Sequence, residues 1–169
     1  MSTLDTVIIT AIEPDVAKLS AGTVMNLDDS GLYNILNGSI VNYTVTGNFS
    51  WVRDGMFFGC NKLNKITLSA TLNKIGRYAF CDCRALQEIS IPSQVSSIGD
   101  YAFKDCVSLT KVYFRSRINN IGVSIFDGCS SLKDIWIPGS SNPNDSSWIP
   151  NGVTVHYNTM YDPNTGLPI

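Results

Sequence analysis

The sequence predicts a repeat solenoid, a fold in which short similar units stack along one axis. Three observations predict it: side chains recur every 23 residues, apolar and polar residues alternate inside each unit, and glycines recur at a fixed position. One such unit cannot bury its own apolar face, whereas stacked units bury a continuous column. The recurring residues expected to form this core are Phe57, Phe80, Phe103, Phe126, Cys60, Cys83, Cys106 and Cys129.

The repeat unit reads Leu-x-x-Ile-x-Ile-x-x-x-Val-x-x-Ile-Gly-x-x-Ala-Phe-x-x-Cys. Its opening Leu-x-x-Ile-x-Ile resembles the strand signature of leucine-rich repeats, and the whole unit is similar to the BspA-like class of that family. The resemblance covers roughly residues 53–138. It implies an α/β-type, right-handed leucine-rich-repeat solenoid, mostly β and loop, with one short parallel strand per repeat.

The spacing inside the unit predicts which side chains face the core. Ile66 and Leu68 lie two residues apart in the strand, so both should point inward while Lys65 and Thr67 point outward. The recurring glycines should lie at a tight bend, where a Cβ would crowd the backbone or φ is positive. These glycines are Gly76, Gly99 and Gly122.

A weaker repeat precedes the clear ones, because Tyr43 and Val45 lie 23 residues before Ile66 and Leu68. We therefore predict three regions: residues 1–36, a solenoid of about four or five repeats over residues 37–138, and residues 139–169. The third region should hold a loop at 139–145, a capping strand at 153–157 and a turn at 162–166.

Residues 1–36 do not fit the repeat. The pattern predicts a strand at 6–12, a short helix from Pro14 to Leu19, and another from Gly31 to Leu36 that Ser30 caps. Two interpretations stay open. The segment is either a cap over the open end of the solenoid or a docking segment through which the chain joins a partner or forms a homo-oligomer.

The charge pattern excludes a global field for nucleic acid, because the net charge is only −2. Residues 1–52 carry a balance of −4, residues 53–138 carry +4, and residues 139–169 carry −2. No stretch approaches a membrane span, and the N-terminus lacks the basic and apolar regions of a signal peptide. We expect synthesis in the cytoplasm, unless a leader has been removed, and no membrane insertion.

No set of residues predicts catalysis or a cofactor. The four repeat cysteines form a row, which cannot give the tetrahedron of a zinc site, so we expect buried structural thiols. Cys81 lies at a variable position and should be exposed, as a chance thiol or an intermolecular link. His156 has no nucleophile or acid matched to it and should be an ordinary strand histidine. The chain is therefore predicted not to be an enzyme.

The outward strand positions predict a contact surface. One row reads Asn42, Lys65, Glu88, Lys111, Asp134, and its alternating charges should pair laterally. The next row reads Thr44, Thr67, Ser90, Tyr113, Trp136 and ends in aromatic residues. Exposed Tyr and Trp near arginines favour an interface. The candidate contact residues are Tyr113, Trp136, Arg115, Arg117, Lys111 and Ser90; in the alternative interpretation, the C-terminal segment covers the aromatic residues as a cap.

Two functions follow as hypotheses. Residues 148–158, with Trp148 and a Val-x-Val-x-Tyr pattern, resemble the end of repeat modules in tailed-bacteriophage structural proteins. That resemblance implies a virion component, such as a capsid decoration, head fibre or tail protein, that contacts a partner or a host surface. The alternative is a bacterial cell-surface adhesion or ligand-binding module, the role most often proposed for BspA-like proteins. Its partner would be a host-surface protein or a glycan.

Overall fold

The computed structural model describes residues 6–13, 16–19, 24–26, 42–47, 50–139, 147–157, 160–162 and 168, with side chains from residue 50 onward. Within these ranges the chain forms thirteen β-strands and no helix. The strands are β1 (Thr6–Glu13), β2 (Val16–Leu19), β3 (Val24–Asn26), β4 (Asn42–Gly47), β5 (Trp51–Val52), β6 (Lys65–Thr67), β7 (Lys74–Ile75), β8 (Glu88–Ile91), β9 (Ser97–Ile98), β10 (Lys111–Phe114), β11 (Asn120–Ile121), β12 (Asp134–Ile137) and β13 (Thr154–Tyr157).

The predicted parallel solenoid is confirmed. Each repeat forms one coil, which we call a rung, and successive rungs pair through parallel strands. The strand order is β8-β10-β12-β13 in one sheet and β5-β7-β9-β11 in a second sheet. Each repeat therefore contributes a second strand of two residues, which the sequence analysis did not include. This strand arises where the Val-x-x-Ile segment turns its isoleucine inward, as Ile75 and Ile98 do.

The register follows the 23-residue spacing. In the first sheet Lys111 lies opposite Glu88 on one side and Asp134 on the other. The weaker repeat aligns in the same way, because Asn42 pairs with Lys65 and Tyr43 pairs with Ile66. The prediction that the solenoid begins before the clear repeats is confirmed for these strands.

The N-terminal strands form a third sheet with β4 and β6, in the order β3-β2-β1-β4-β6. β1 lies parallel to β4, and β2 and β3 follow it as an antiparallel meander. The predicted strand at 6–12 is confirmed, but the predicted helix from Pro14 to Leu19 is wrong. A helix of six residues is marginal by itself, whereas β2 obtains ladder hydrogen bonds from β1 and β3. The predicted helix at 31–36, most of the loop at 139–145 and most of the turn at 162–166 lie outside the described residues.

The core is a column of stacked phenylalanines inside the rungs, all at most 1% exposed. Phe80 stacks on Phe57 and on Phe103, with ring centroids 5.0 and 5.2 Å apart and interplanar angles of 2° and 1°. Phe126 continues the column 5.6 Å from Phe103. Trp148 then covers its end, 6.2 Å from Phe126. The tryptophan that suggested a bacteriophage resemblance is therefore a core residue, 5% exposed.

The repeat cysteines are buried structural thiols, as predicted. Three of these S–H groups donate to the carbonyl of the phenylalanine one rung earlier: Cys83 to Phe57 and Cys106 to Phe80, both at 3.1 Å. Cys129 repeats the bond at 3.0 Å. Burial raises the pKa of the Cys60 thiol to about 12. The repeat thiols fill the core beside the phenylalanines, and those three give each carbonyl a second donor besides a backbone N–H.

The repeat glycines permit the rungs to approach closely. A Cβ added at Gly122 would lie 2.4 Å from the backbone nitrogen of Asp100, and one added at Gly99 would lie 2.6 Å from that of Arg77. Neither glycine is among those with positive φ. Of the two predicted reasons for these glycines, crowding of the backbone is the one that applies.

Candidate interaction surface

The outward side chains of β8, β10, β12 and β13, together with those of β6 from the adjoining sheet, form two rows that run along the solenoid. The charged row holds Lys65, Glu88, Lys111, Asp134 and Thr154, and the neighbouring row holds Thr67, Ser90, Tyr113, Trp136 and His156. From β8 to β13, parallel ladders hold both rows on a rigid backbone with one residue per rung. We call this surface the sheet face.

The neighbouring row ends in a stack of three rings. Tyr113 and Trp136 stack with centroids 4.7 Å apart, and Trp136 and His156 stack at 4.6 Å and 12°. Trp136 is therefore covered on both ring faces and presents an edge. His156 Nε2 also lies 2.8 Å from Asp134 Oδ1. Through His156, β13 therefore contacts a residue of each row. The sequence analysis assigned His156 no role; its pairing with Trp136 becomes visible only once β13 is placed.

Tyr113 is only 6% exposed, so of the two interpretations left open for this residue, the exposed contact residue is wrong. Burial, and then the charges of Glu88 and Asp134, raise the pKa of its phenol. Trp136 covers one side of the ring. On this face the C-terminal segment also packs nearby, since the Tyr161 hydroxyl donates to the Phe114 carbonyl at 2.7 Å. The alternative interpretation, in which the C-terminal segment covers the aromatic residues, describes Tyr113 better.

Arg115 joins the sheet face to the C-terminal segment. Its Nε donates to the Ser90 hydroxyl at 2.8 Å, and its guanidinium lies 5.3 Å from the centroid of the Tyr161 ring. Burial raises the pKa of Tyr161 to about 12 although the arginine charge acts in the opposite direction. Arg115 and Ser90 are half-buried, and their contacts stabilise the packing of the C-terminal segment against this end of the sheet.

Lys111 and Arg117 are exposed but lie in different surroundings. Lys111 stands in the charged row of the sheet face. Arg117 lies against Gly139 and lines a groove of about 810 Å³ together with Asn120 and Trp148. Of the six candidate contact residues, the structure therefore brings together Ser90, Lys111, Tyr113, Arg115 and Trp136 and places Arg117 at the groove.

The predicted lateral pairing of the charged row is wrong. Among the described residues, Lys65, Glu88, Lys111 and Asp134 form no salt bridge with one another, and Asp134 contacts His156 instead. Pairing would restrict the rotamers of these long exposed side chains. The small energy of an exposed ion pair does not compensate for that loss of conformational entropy. Their charges consequently stay available on the surface in alternating sign.

Cys81 is 5% exposed, so its predicted exposure is also wrong. It lies in a tight turn, where its carbonyl accepts the Gly59 N–H at 2.8 Å. Longer side chains occupy the same position on adjacent rungs, namely Phe58 and Lys104, and flank the small thiol. Burial and the carboxylates of Asp105 and Asp82 raise its pKa, which disfavours the reactive thiolate.

A second surface, which the sequence analysis missed, lies on the turns at the other side of the rungs. Tyr78 and Tyr101 stack with centroids 5.1 Å apart and an interplanar angle of 13°. Tyr78 is 38% exposed, and Phe58 beside it is 44% exposed. The two tyrosines lie 23 residues apart, so the repeat itself was the signal that could have found them.

The part of the chain that has been described holds no group of three or more His, Cys, Asp or Glu side chains placed to bind a metal ion. It also contains no helix with the length and hydropathy required to cross a bilayer.

These features define a leucine-rich-repeat solenoid. The family model of the BspA type leucine rich repeat region matches residues 33–151 in six copies. The chain therefore belongs to the BspA-type leucine-rich-repeat family. No curated protein matches the sequence.

Three solved structures resemble the chain. A leucine-rich repeat protein from Bacteroides ovatus is 27% identical with a TM-score of 0.61, and the match covers 68% of this chain and 30% of that one. A leucine rich cell surface protein from Faecalibacterium prausnitzii is 26% identical with a TM-score of 0.54, covering 60% and 27%. The Treponema pallidum leucine rich repeat protein, 24% identical with a TM-score of 0.57 over 90% and 57%, shows the fold alone.

The matches span about a third or less of the Bacteroides and Faecalibacterium proteins. The bacteriophage resemblance of residues 148–158 is not shown by these comparisons and stays a prediction. So do the roles of residues 1–36 as a cap or as a docking segment.

Proposed function

We propose that the chain is a binding module of a bacterial cell-surface protein, and that its sheet face binds a protein partner. One observation carries the proposal: two rows of outward side chains follow the parallel strands, with exposed Lys65 and Lys111 on either side of half-buried Glu88 and aromatic edges in the next row. The alternative bacterial function is therefore preferred over a virion component. The similar cell-surface protein from Faecalibacterium prausnitzii supports the location.

The chemistry of the face favours a polypeptide partner. Lys65 and Lys111 are exposed and flank Glu88, so an extended segment with charges of alternating sign would find complementary partners at each rung. The half-buried edges of Trp136 and His156 add the aromatic surface in which interface energy concentrates. A rigid backbone lowers the entropy lost on binding.

Binding through the sheet face can be tested with a matched pair of charge reversals. Lys111→Glu changes the charged row, whereas Lys62→Glu makes the same change at an exposed lysine outside both rows. The purified chain is immobilised and screened by biolayer interferometry against a panel of serum, matrix and bacterial surface proteins. We expect Lys111→Glu to weaken binding about tenfold and Lys62→Glu less than about twofold.

Two results would contradict this proposal. Equal binding by both variants would place the contact elsewhere on the molecule, and no binding to any protein of the panel would remove the binding role. The location is tested separately by protease treatment of intact cells that produce the protein. Loss of the chain without cell lysis supports surface exposure, and full protection contradicts it.

A further inference from the structure

The second sheet leaves part of its apolar interior accessible at its C-terminal end. Two repeat positions turn aliphatic side chains inward along this sheet. In the earlier rungs these side chains are at most 1% exposed: Leu72, Ile75, Val95 and Ile98. Their equivalents at the last strand of the sheet, Ile118 and Ile121, are only half-buried. Both isoleucines line the groove of about 810 Å³, which therefore has an apolar floor at this end.

The groove has the size of a small-molecule site. Ligand pockets enclose about 300–1,000 Å³ and combine apolar walls with a few polar groups. Phe114, Ile137 and Trp148 also line the groove, and each of them is at most 5% exposed. Phe114 and Trp148 pack edge to face, with ring centroids 5.7 Å apart. Because these wall residues belong to the packed core, the shape of the groove is set by the fold.

Basic side chains outnumber acidic ones in the groove. Three cations and two carboxylates line it: Lys74, Arg77, Arg117, Asp54 and Asp100. Asp54 and Asp100 each accept a backbone N–H of the next rung, at 2.9 and 3.0 Å, and Asp100 Oδ2 lies 3.4 Å from the Arg77 guanidinium. Lys74 forms no salt bridge with any described residue. Since both carboxylates already have partners, the field in the groove favours an anion.

Hydrogen-bond donors lie in the same stretch of chain as the apolar floor. Arg117 precedes Ile118, and Asn119 and Asn120 follow it; these three polar side chains are exposed and line the groove. A guanidinium carries five N–H donors in a fork that matches a carboxylate. The Ser116 hydroxyl oxygen, also in the lining, is buried and has no hydrogen-bond partner among the described residues. Native proteins leave few buried hydroxyls unpaired, and an oxygen of a bound molecule would satisfy this one.

We propose that this groove binds a small organic acid, a carboxylate carried on an apolar body such as a phenyl or short alkyl group. The carboxylate pairs with Arg117, and the apolar body packs on Ile118 and Ile121. An inorganic anion would leave the isoleucines in water, and a neutral apolar molecule would leave the basic groups without a counter-charge. The groove is separate from the sheet face, so this proposal does not rest on the function proposed there.

Binding is tested with phenylpropionate and octanoate, and the neutral phenylpropanamide is the matched control ligand. Saturation-transfer difference NMR detects ligand C–H groups that contact the protein, and titration calorimetry measures the Kd. We expect at least one carboxylate to bind with a Kd between about 10 μM and about 1 mM, and the amide to bind at least about tenfold more weakly than its acid. Equal binding of acid and amide, or no saturation transfer from either carboxylate up to about 10 mM, would overturn the proposal.

Two substitutions locate the ligand, and circular dichroism checks that each variant folds. Arg117→Gln removes the charge that pairs with the carboxylate and should weaken binding about tenfold, whereas Ile118→Ala removes apolar surface and should weaken it about threefold or more. Arg84→Gln is the matched control, because Arg84 is an exposed arginine on a turn outside the groove. Its Kd should stay within about twofold of wild type.

Three further results would contradict the proposal. An unchanged Kd in Arg117→Gln would place the carboxylate elsewhere, and an unchanged Kd in Ile118→Ala would remove the apolar contact. Displacement of phenylpropionate by an equal concentration of acetate would reduce the groove to a site for simple anions. The comparison of acid with amide needs no substitution, so it decides the question even where a variant does not fold.

Discussion

Two aromatic stacks run along this solenoid and differ in burial: a column of four phenylalanines, and a pair of tyrosines that lie two residues before Phe80 and Phe103. The phenylalanine column from Phe57 to Phe126 is at most 1% exposed, whereas the tyrosine pair lies on the surface with Tyr78 38% exposed. Both stack at about 5 Å, with centroids 5.2 Å apart for Phe80 and Phe103 and 5.1 Å apart for Tyr78 and Tyr101. Rung spacing alone therefore produces a stack, while burial decides whether the stack stabilises the fold.

The strongest test of this comparison is Phe103→Ala. The substitution opens a cavity in the middle of the buried column, between Phe80 and Phe126, and should lower the free energy of unfolding by about 3–5 kcal/mol. Equilibrium denaturation in guanidinium chloride measures the loss. A loss below about 1 kcal/mol would mean that the column is not the main source of stability.

Rung spacing itself is tested by Gly122→Ala. The added Cβ would fall 2.4 Å from the Asp100 nitrogen, so the rungs must separate at a loss of about 1–3 kcal/mol. The comparison variant is Gly152→Ala, where no atom lies within 4 Å of the added Cβ but φ is +84°, so left-handed strain of about 1 kcal/mol is the only loss expected there. If both variants lose the same stability in parallel denaturation experiments, crowding between rungs is not what selects glycine at position 122.

High pH should lower the free energy of unfolding through the buried cysteines of the core. The pKa of Cys60 is raised from 9.0 to about 12, so the folded state holds the proton more tightly than the unfolded chain. Its contribution is complete below pH 9 and is lost as pH rises from 9 towards 12, by at most about 1.4 kcal/mol per pH unit. Denaturation at several pH values measures the slope, which Cys60→Ala should reduce. An unchanged slope in that variant would show that other groups cause the alkaline loss.

The smallest effect is expected on the exposed side. Tyr78→Gly removes one stacked ring but also removes the strain of a left-handed tyrosine, so the two changes should cancel to within about 1 kcal/mol. Thermal unfolding compared with wild type measures the difference. A loss approaching that of Phe103→Ala would make the tyrosine pair a structural element of the fold.

The sequence predicted the interior of the solenoid better than its surface. The core positions follow from period and hydrophobicity, and Phe57, Cys83 and Ile66 all lie where the repeat placed them. Surface predictions were wrong where accessibility depends on another segment or rung. Tyr113 is covered by Trp136 and by the C-terminal segment. Cys81 is covered by its larger neighbours on the adjacent rungs. The position of each residue within its own repeat does not reveal this coverage.

The same limit applies to the ends of the chain. Residues 16–19 were predicted as helix from local signals, but they form β2 because β1 and β3 lie on either side to pair with them. Local propensity is a weak guide where tertiary pairing supplies the hydrogen bonds. The strand at 153–157, in contrast, has strong alternation and was predicted correctly as β13.

The sequence by itself determined the repeat length, the inward residues, the parallel register and the family, because each depends on a spacing that recurs along the chain. Only the tertiary structure decided which outward residues stay accessible: Tyr113 is covered, Trp136 is held between two rings, and Tyr78 stays exposed. The physical reason is that burial of a core position follows from its own repeat, whereas exposure of a surface position depends on whatever packs next to it from elsewhere.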